Sequence, residues 1–189
     1  MRLSFAPLPL LAVLAGCSKP AEPAPSAAPP PPASVAARAS AKLSWTDPPA
    51  WKRSPPSNPM RLAEYSLPKS AGDADAPECV VNTFGPGQGG TVDANVDRWI
   101  RQFDPASASS VEKQSKKIGA LDVTIVELSG TWRGMTMPGA PPSQPKSGQR
   151  MLAAIVDHPT GLHFFKIVGP DASVKEAKGA FVAMLETLR

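Results

Sequence analysis

Residues 84 to 103, FGPGQGGTVDANVDRWIRQF, constrain the fold more than any other stretch of the chain. A glycine-rich turn runs straight into an amphipathic repeat. Val92, Val96, Trp99, Ile100 and Phe103 recur at helical spacing, so one stripe can bury against a neighbouring layer. Asp93, Asp97, Arg98, Arg101 and Gln102 fall largely on the other side. Thr91 is the expected N-cap, because its hydroxyl can accept from an orphan amide of the first turn. Asp93 then sits where the positive end of the helix dipole favours it. The segments before and after this run read as strands, so the helix has to lie on a sheet.

The strand-like segments are Met60–Leu67, Glu78–Phe84, Val111–Ile118, Leu121–Leu128, Gln149–Val156 and Leu162–Val168. Pro68 closes the first, and Lys69 to Pro77 is a polar loop. Lys117-Ile118-Gly119-Ala120 supplies the turn of one expected hairpin, and residues 157 to 161 the turn of a second. Leu121 to Leu128 is apolar on both faces and is expected to be central. Before the first strand, Trp45 and Trp51 sit in an irregular lead-in and are expected to cap one end of the core. Pro170-Asp171 opens a second helix, with Val174, Ala177, Phe181, Met184, Leu185 and Leu188 as its buried stripe. Ser173 and Glu176 have capping-box spacing.

The ends of the chain read differently. Leu3 to Ala15 is an apolar stretch behind a positive start, too short to span a bilayer as a permanent helix. It reads as an export signal. Ser18 to Lys42 is Ala, Pro and Ser with few large apolar side chains, including the run Pro29 to Pro32. It cannot offset its ordering entropy, so it is expected to stay unfolded as a spacer. Proline biases it to an extended form reaching roughly 70 Å. The expected organisation is therefore residues 1–16 as signal, 17–42 as tether and 43–189 as one globular domain. A domain of that size buries roughly two thirds of its unfolded surface.

Leu14-Ala15-Gly16-Cys17 resembles the lipobox of bacterial lipoproteins. That resemblance implies cleavage before Cys17 and lipidation of its thiol, with membrane attachment through the lipid. Ser18 after the cysteine implies the outer rather than the inner membrane, facing the periplasm. The chain has two cysteines. With lipid on Cys17, Cys79 has no intrachain partner and reads as a small buried hydrophobe. Net charge is +4 and scattered. Its closest cluster, Lys113, Lys116 and Lys117, reads as a solvated edge, so nucleic acid is not an expected partner.

The order of strands, helix, four strands and helix looks like the PsbP-like α/β/α sandwich. That family includes photosynthetic PsbP and bacterial envelope lipoproteins. Met60–Tyr65, Phe84–Phe103 and His163–Pro170 also resemble a group of uncharacterised bacterial lipoproteins. The fold class this implies is α/β in the α+β sense, a mostly antiparallel sheet covered by two main helices. Such domains generally act as accessory or binding modules, and no family catalytic residues carry over.

Candidate chemistry is sparse. Gly85 to Gly90 lacks the Gly-Lys-Ser/Thr ending of a phosphate loop, and Asp93 would repel an anion there. His158 and His163 stand without metal-ligand neighbours, and a spacing of five puts them on opposite faces of an extended chain. No Gly-x-Ser-x-Gly elbow is present. Met135 and Met137 are soft donors suited to Cu(I), or packing residues. The expectation is a monomeric, lipid-anchored binding or accessory domain without cofactor or metal, not an enzyme, with an envelope protein as its partner. An envelope enzyme is the alternative, and a copper carrier the next. The long loop from Trp132 to Gly148, with Trp132, Met135 and Met137, either contacts a partner or apolar ligand or folds back to close the core edge.

Overall fold

The computed structural model describes residues 42–134 and 144–189. Cys17, Met135 and Met137 lie outside them. The described chain runs β1 (Lys52–Ser54), β2 (Arg61–Ser66), β3 (Glu78–Thr83), α1 (Val92–Ile100), β4 (Glu112–Ile118), β5 (Leu121–Trp132), β6 (Lys146–His158), β7 (Gly161–Pro170) and α2 (Asp171–Glu186). The seven strands form one sheet in the order β1-β2-β3-β7-β6-β5-β4. Every neighbouring pair is antiparallel.

Alternation along the strands builds a core on each face. Leu152, Ala154 and Val156 of β6, with Phe165 and Ile167 of β7, bury against Val174, Phe181, Met184 and Leu185 of α2. The intervening Met151, Ala153 and Ile155, with Val126, Leu128 and Phe164, bury against Val96 and Trp99 of α1. The result is a three-layer α/β/α sandwich, the layer order that the PsbP-like resemblance implied. Trp51 is buried and Trp45 packs beside it on the α2 side, so the indole lead-in caps the core as expected. Among the described residues no helix is long and apolar enough to cross a membrane.

Thr91 caps α1 through its side chain, which accepts from the Ala94 amide at 3.2 Å. The helix ends at Ile100, one turn earlier than the apolar stripe suggests, and Phe103 instead bridges to Trp132 of β5. The capping box does not form. Helix α2 starts at Asp171, which places Ser173 inside its first turn. Asp73, from the loop between β2 and β3, accepts from the Ser173 amide at 3.1 Å and from its hydroxyl. A distant loop thus does the work assigned to a neighbour, because the helix enters directly from β7 with no turn to carry a cap.

Strand β5 is interior, lying between β6 and β4, one place in from the edge. The edge strand β4 carries Lys113, Lys116 and Lys117, paired with Asp93, Glu186 and Asp122 respectively. A second ion network lies under α2. Glu127 of β5 accepts from Arg150 of β6 at 2.6 Å and from Lys178 of α2 at 2.6 Å. Arg150 also donates to Asp171 at 2.8 Å.

Candidate functional site

Helix α1 has nine residues, hence a length of about 13 Å. A seven-stranded sheet is roughly 30 Å wide. So α1 covers only part of its face, over β5, β6 and the near part of β7. The side chains of β2, β3 and β7 that point the same way are left without a lid among the described residues. The result is a groove of about 700 Å³. Val80 and Asn82 of β3 and Lys166 and Val168 of β7 line it, with Arg61, Glu78 and Asp75 on one side and Trp132, Lys146 and Gln149 on another.

Lys166 is the unusual group in this groove. Strand β7 reads Gly161-Leu-His-Phe-Phe-Lys-Ile-Val-Gly-Pro170, so a cation interrupts an apolar run. Its ammonium donates to Gln102 Oε1 and lies 5.5 Å above the Trp99 ring. Among the described residues it has no carboxylate partner. Burial first, and the Arg98 guanidinium second, bring its pKa down to about 7. The other cations of the groove are spent: Arg61 pairs with Glu64 at 3.0 Å and Lys146 with Asp75 at 2.8 Å.

No protein-family model matches the sequence, and no curated protein does. Among solved structures, the chain is similar to a proposed regulator of unknown function from Pseudomonas aeruginosa. That match has 9% identity and a TM-score of 0.48, and covers 67% of this chain and 80% of the other. It is also similar to cyanobacterial PsbP from Synechocystis, with 9% identity and a TM-score of 0.45, covering 78% and 91% of the two chains.

Trp132, named from the sequence as a contact residue, stands in the groove wall and packs against the core under α1. Its indole N–H is buried and has no acceptor among the described residues. Met135 and Met137, its companions in that reading, lie outside the described residues. Sequence reasoning passed over Lys166. The available signal was a charge at a position whose strand neighbours on both sides are apolar.

The histidines require a correction. His158 and His163 do not point apart, because the chain turns back between them. In the β6–β7 hairpin His158 pairs with Gly161 and His163 with Val156. Their rings meet edge to face with centroids 5.4 Å apart. His158 Nδ1 accepts from the Thr160 amide at 3.1 Å, and His163 Nδ1–H donates to the Gly161 carbonyl at 2.9 Å. Those partners leave a hydrogen on His158 Nε2 while its Nδ1 is engaged by Thr160, so neither nitrogen of that ring offers a free lone pair. Among the described residues no group of three or more His, Cys, Asp or Glu could hold a metal ion.

Burial lowers the pKa of both histidines, and for His163 the neighbouring His158 adds to it. The folded state therefore binds fewer protons than the unfolded chain just below pH 6.5. The histidine contribution is full above pH 6.5 and is lost as pH falls through the folded values. Glu64, Asp75 and Asp171 have carboxyl pKa values lowered from 4.5 or 3.8, so their losses come at lower pH. Lys166, lowered from 10.5 to about 7, makes stability fall already as pH drops from 8 to 7. Urea midpoints measured from pH 8 to 5 are expected to decline further below 6.5 on account of the histidines. That further decline is expected to shrink in a His158→Gln/His163→Gln chain; an identical decline in that chain would assign it elsewhere.

The remaining candidates read as structure. Cys79 is fully buried on β3, and burial pushes its thiol well above the ordinary range. In the glycine turn, Asn95 donates to the Gly89 and Thr91 carbonyls, both at 2.7 Å, and ties the turn onto α1. Asp93 at that helix start is engaged by Lys113.

Proposed function

We propose that this chain is a lipid-anchored, periplasm-facing binding domain of the bacterial cell envelope, attached through Cys17, and that the groove beside α1 is its working surface. The observation that carries the reading is the sheet face that α1 leaves uncovered. A short helix on a wide sheet leaves a concave, mixed polar and apolar site on an otherwise packed scaffold, as expected of a binding surface. The lipobox resemblance at Leu14 to Cys17 supports the anchor, and the proline-rich residues 18–42 support reach away from the membrane. Ser18 favours the outer membrane over the inner.

One observation favours the enzyme alternative. An amine with a pKa near 7 is a competent nucleophile toward carbonyl carbon, and Lys166 has one. Borohydride trapping of an aldehyde on Lys166 would select that reading.

The anchor is tested by growing cells with labelled palmitate. Cys17→Ser is expected to leave a full-length, unlabelled precursor, while the parent chain is shortened and labelled. Equal labelling of the two would overturn the lipoprotein assignment.

A further inference from the structure

We propose that the groove binds a small organic monocarboxylate, its charge on Lys166 Nζ and its apolar body against Val80, Val168 and Trp132. The inference rests on the binding-domain reading and adds the class of ligand.

The charge count sets the class. An ammonium has three donors, and Gln102 Oε1 takes one at Lys166. Arg61 and Lys146 already hold Glu64 and Asp75. Arg98, across the α1 side, donates to Asn95. Arg98 keeps its charge, since Asn95 is neutral, but it does not line the groove. Among the described lining residues Lys166 is the one cation without a carboxylate, and one negative charge matches it. A phosphate dianion would add a second charge with no second lining cation free of a carboxylate, facing Glu78 and Asp75 along the groove. The surface next to Lys166 is apolar, with Val80 one strand across and Val168 two residues on, paired with each other's neighbours in the β3–β7 ladder. Trp132 supplies a broad indole wall. A carboxylate carrying an aromatic or branched aliphatic body satisfies both halves.

Anion binding also explains how a lysine with this surrounding can be kept. Burial and Arg98 disfavour its charged form, and a carboxylate at Nζ restores it. Binding therefore takes up a proton above pH 7. Apparent affinity is expected to fall about tenfold per pH unit there.

The test uses the full chain carrying Cys17→Ser, so that no lipid competes for the groove. The probes are 4-phenylbutyrate, its neutral amide 4-phenylbutyramide, and phenyl phosphate. Titration is followed by the methyl resonances of Val80 and Val168. Phenylbutyrate is expected to shift both saturably, the amide to bind about tenfold more weakly, and phenyl phosphate to bind no tighter than the carboxylate. Lys166→Met is expected to erase the preference for acid over amide, and Lys166→Arg to retain most of it. Equal binding of acid and amide by the parent chain would overturn the proposal. So would a preference that survives Lys166→Met, tighter binding of phenyl phosphate, or no saturable shift with any probe. Crosslinking in intact cells separates the two levels. A protein partner recovered equally by the parent and Lys166→Met chains, beside absent carboxylate binding, sinks the ligand and leaves the binding domain.

Discussion

Gly161→Ala is expected to cost about 4 kcal/mol and to lower the melting temperature by about 10 °C. Gly161 has φ of +113°, in the region that side chains rarely adopt. It follows the two-residue turn of the β6–β7 hairpin and lies against the glycine turn before α1. A Cβ there would stand 2.3 Å from the Gly85 carbonyl oxygen and 3.0 Å from the Pro86 nitrogen. Both obstacles are backbone, so no rotamer change relieves them. Strain of this kind costs roughly 1 to 3 kcal/mol, and forced displacement of packed backbone adds a similar amount. Gly87→Ala is the matched control. Gly87 also has positive φ, at +68°, but a Cβ there meets nothing within 4 Å. It is expected to cost about 1 kcal/mol, from backbone strain alone. Urea denaturation of the two variants decides the point. Equal losses would mean that contact between the two turns contributes nothing.

Glu127→Ala is expected to cost about 3 kcal/mol. Glu127 and Arg150 side chains are 8% and 14% exposed, so their attraction is little screened by solvent. Removing the carboxylate leaves Arg150 with Asp171 alone, and Lys178 with no acceptor in the network. The three contacts join β5, β6 and α2, so loosening is expected where α2 meets the sheet. Hydrogen exchange should rise in residues 171–178 more than in α1. The double variant Glu127→Leu/Arg150→Met is expected to recover most of the loss, because an apolar replacement removes both desolvation costs together. A single-variant loss below 1 kcal/mol would place the pair with ordinary surface ion pairs.

Much of the scaffold was readable in advance because it is written in local periodicity. The stripe of α1, its Thr91 cap and the β6–β7 hairpin each depend on residues within a few positions of one another. What escaped was set by distant neighbours. Lys52-Arg53-Ser54 has no apolar alternation, and all three residues are exposed; it is a strand because β2 offers a free edge. Arg53 is fixed there by Asp47 at 3.0 Å, with its guanidinium near the Trp45 and Tyr65 rings. Ser173 had the spacing of a cap, but its partner Asp73 is a hundred residues away in sequence. The same holds for the candidate site. Trp132 was legible as a large side chain beside a long loop. Lys166 was not, since an isolated lysine acquires meaning only when one knows that it lies against Trp99 and Gln102 at the margin of α1 and that Glu64 and Asp75 face other cations.

The lysines of β4 have a further consequence. An open sheet has two rims of unpaired amides and carbonyls, each a template on which another chain can add a strand. Here one rim is β1, three residues long, and the other is β4, with three lysines among its seven residues. Stacking two β4 rims would bring like charges together across the new ladder, while β1 offers too short a register to hold a partner. If many copies are tethered to one surface, as the anchor reading has it, their local concentration is high and cross-chain pairing is the hazard they face. The sheet is built so that crowding does not turn it into a fibril seed.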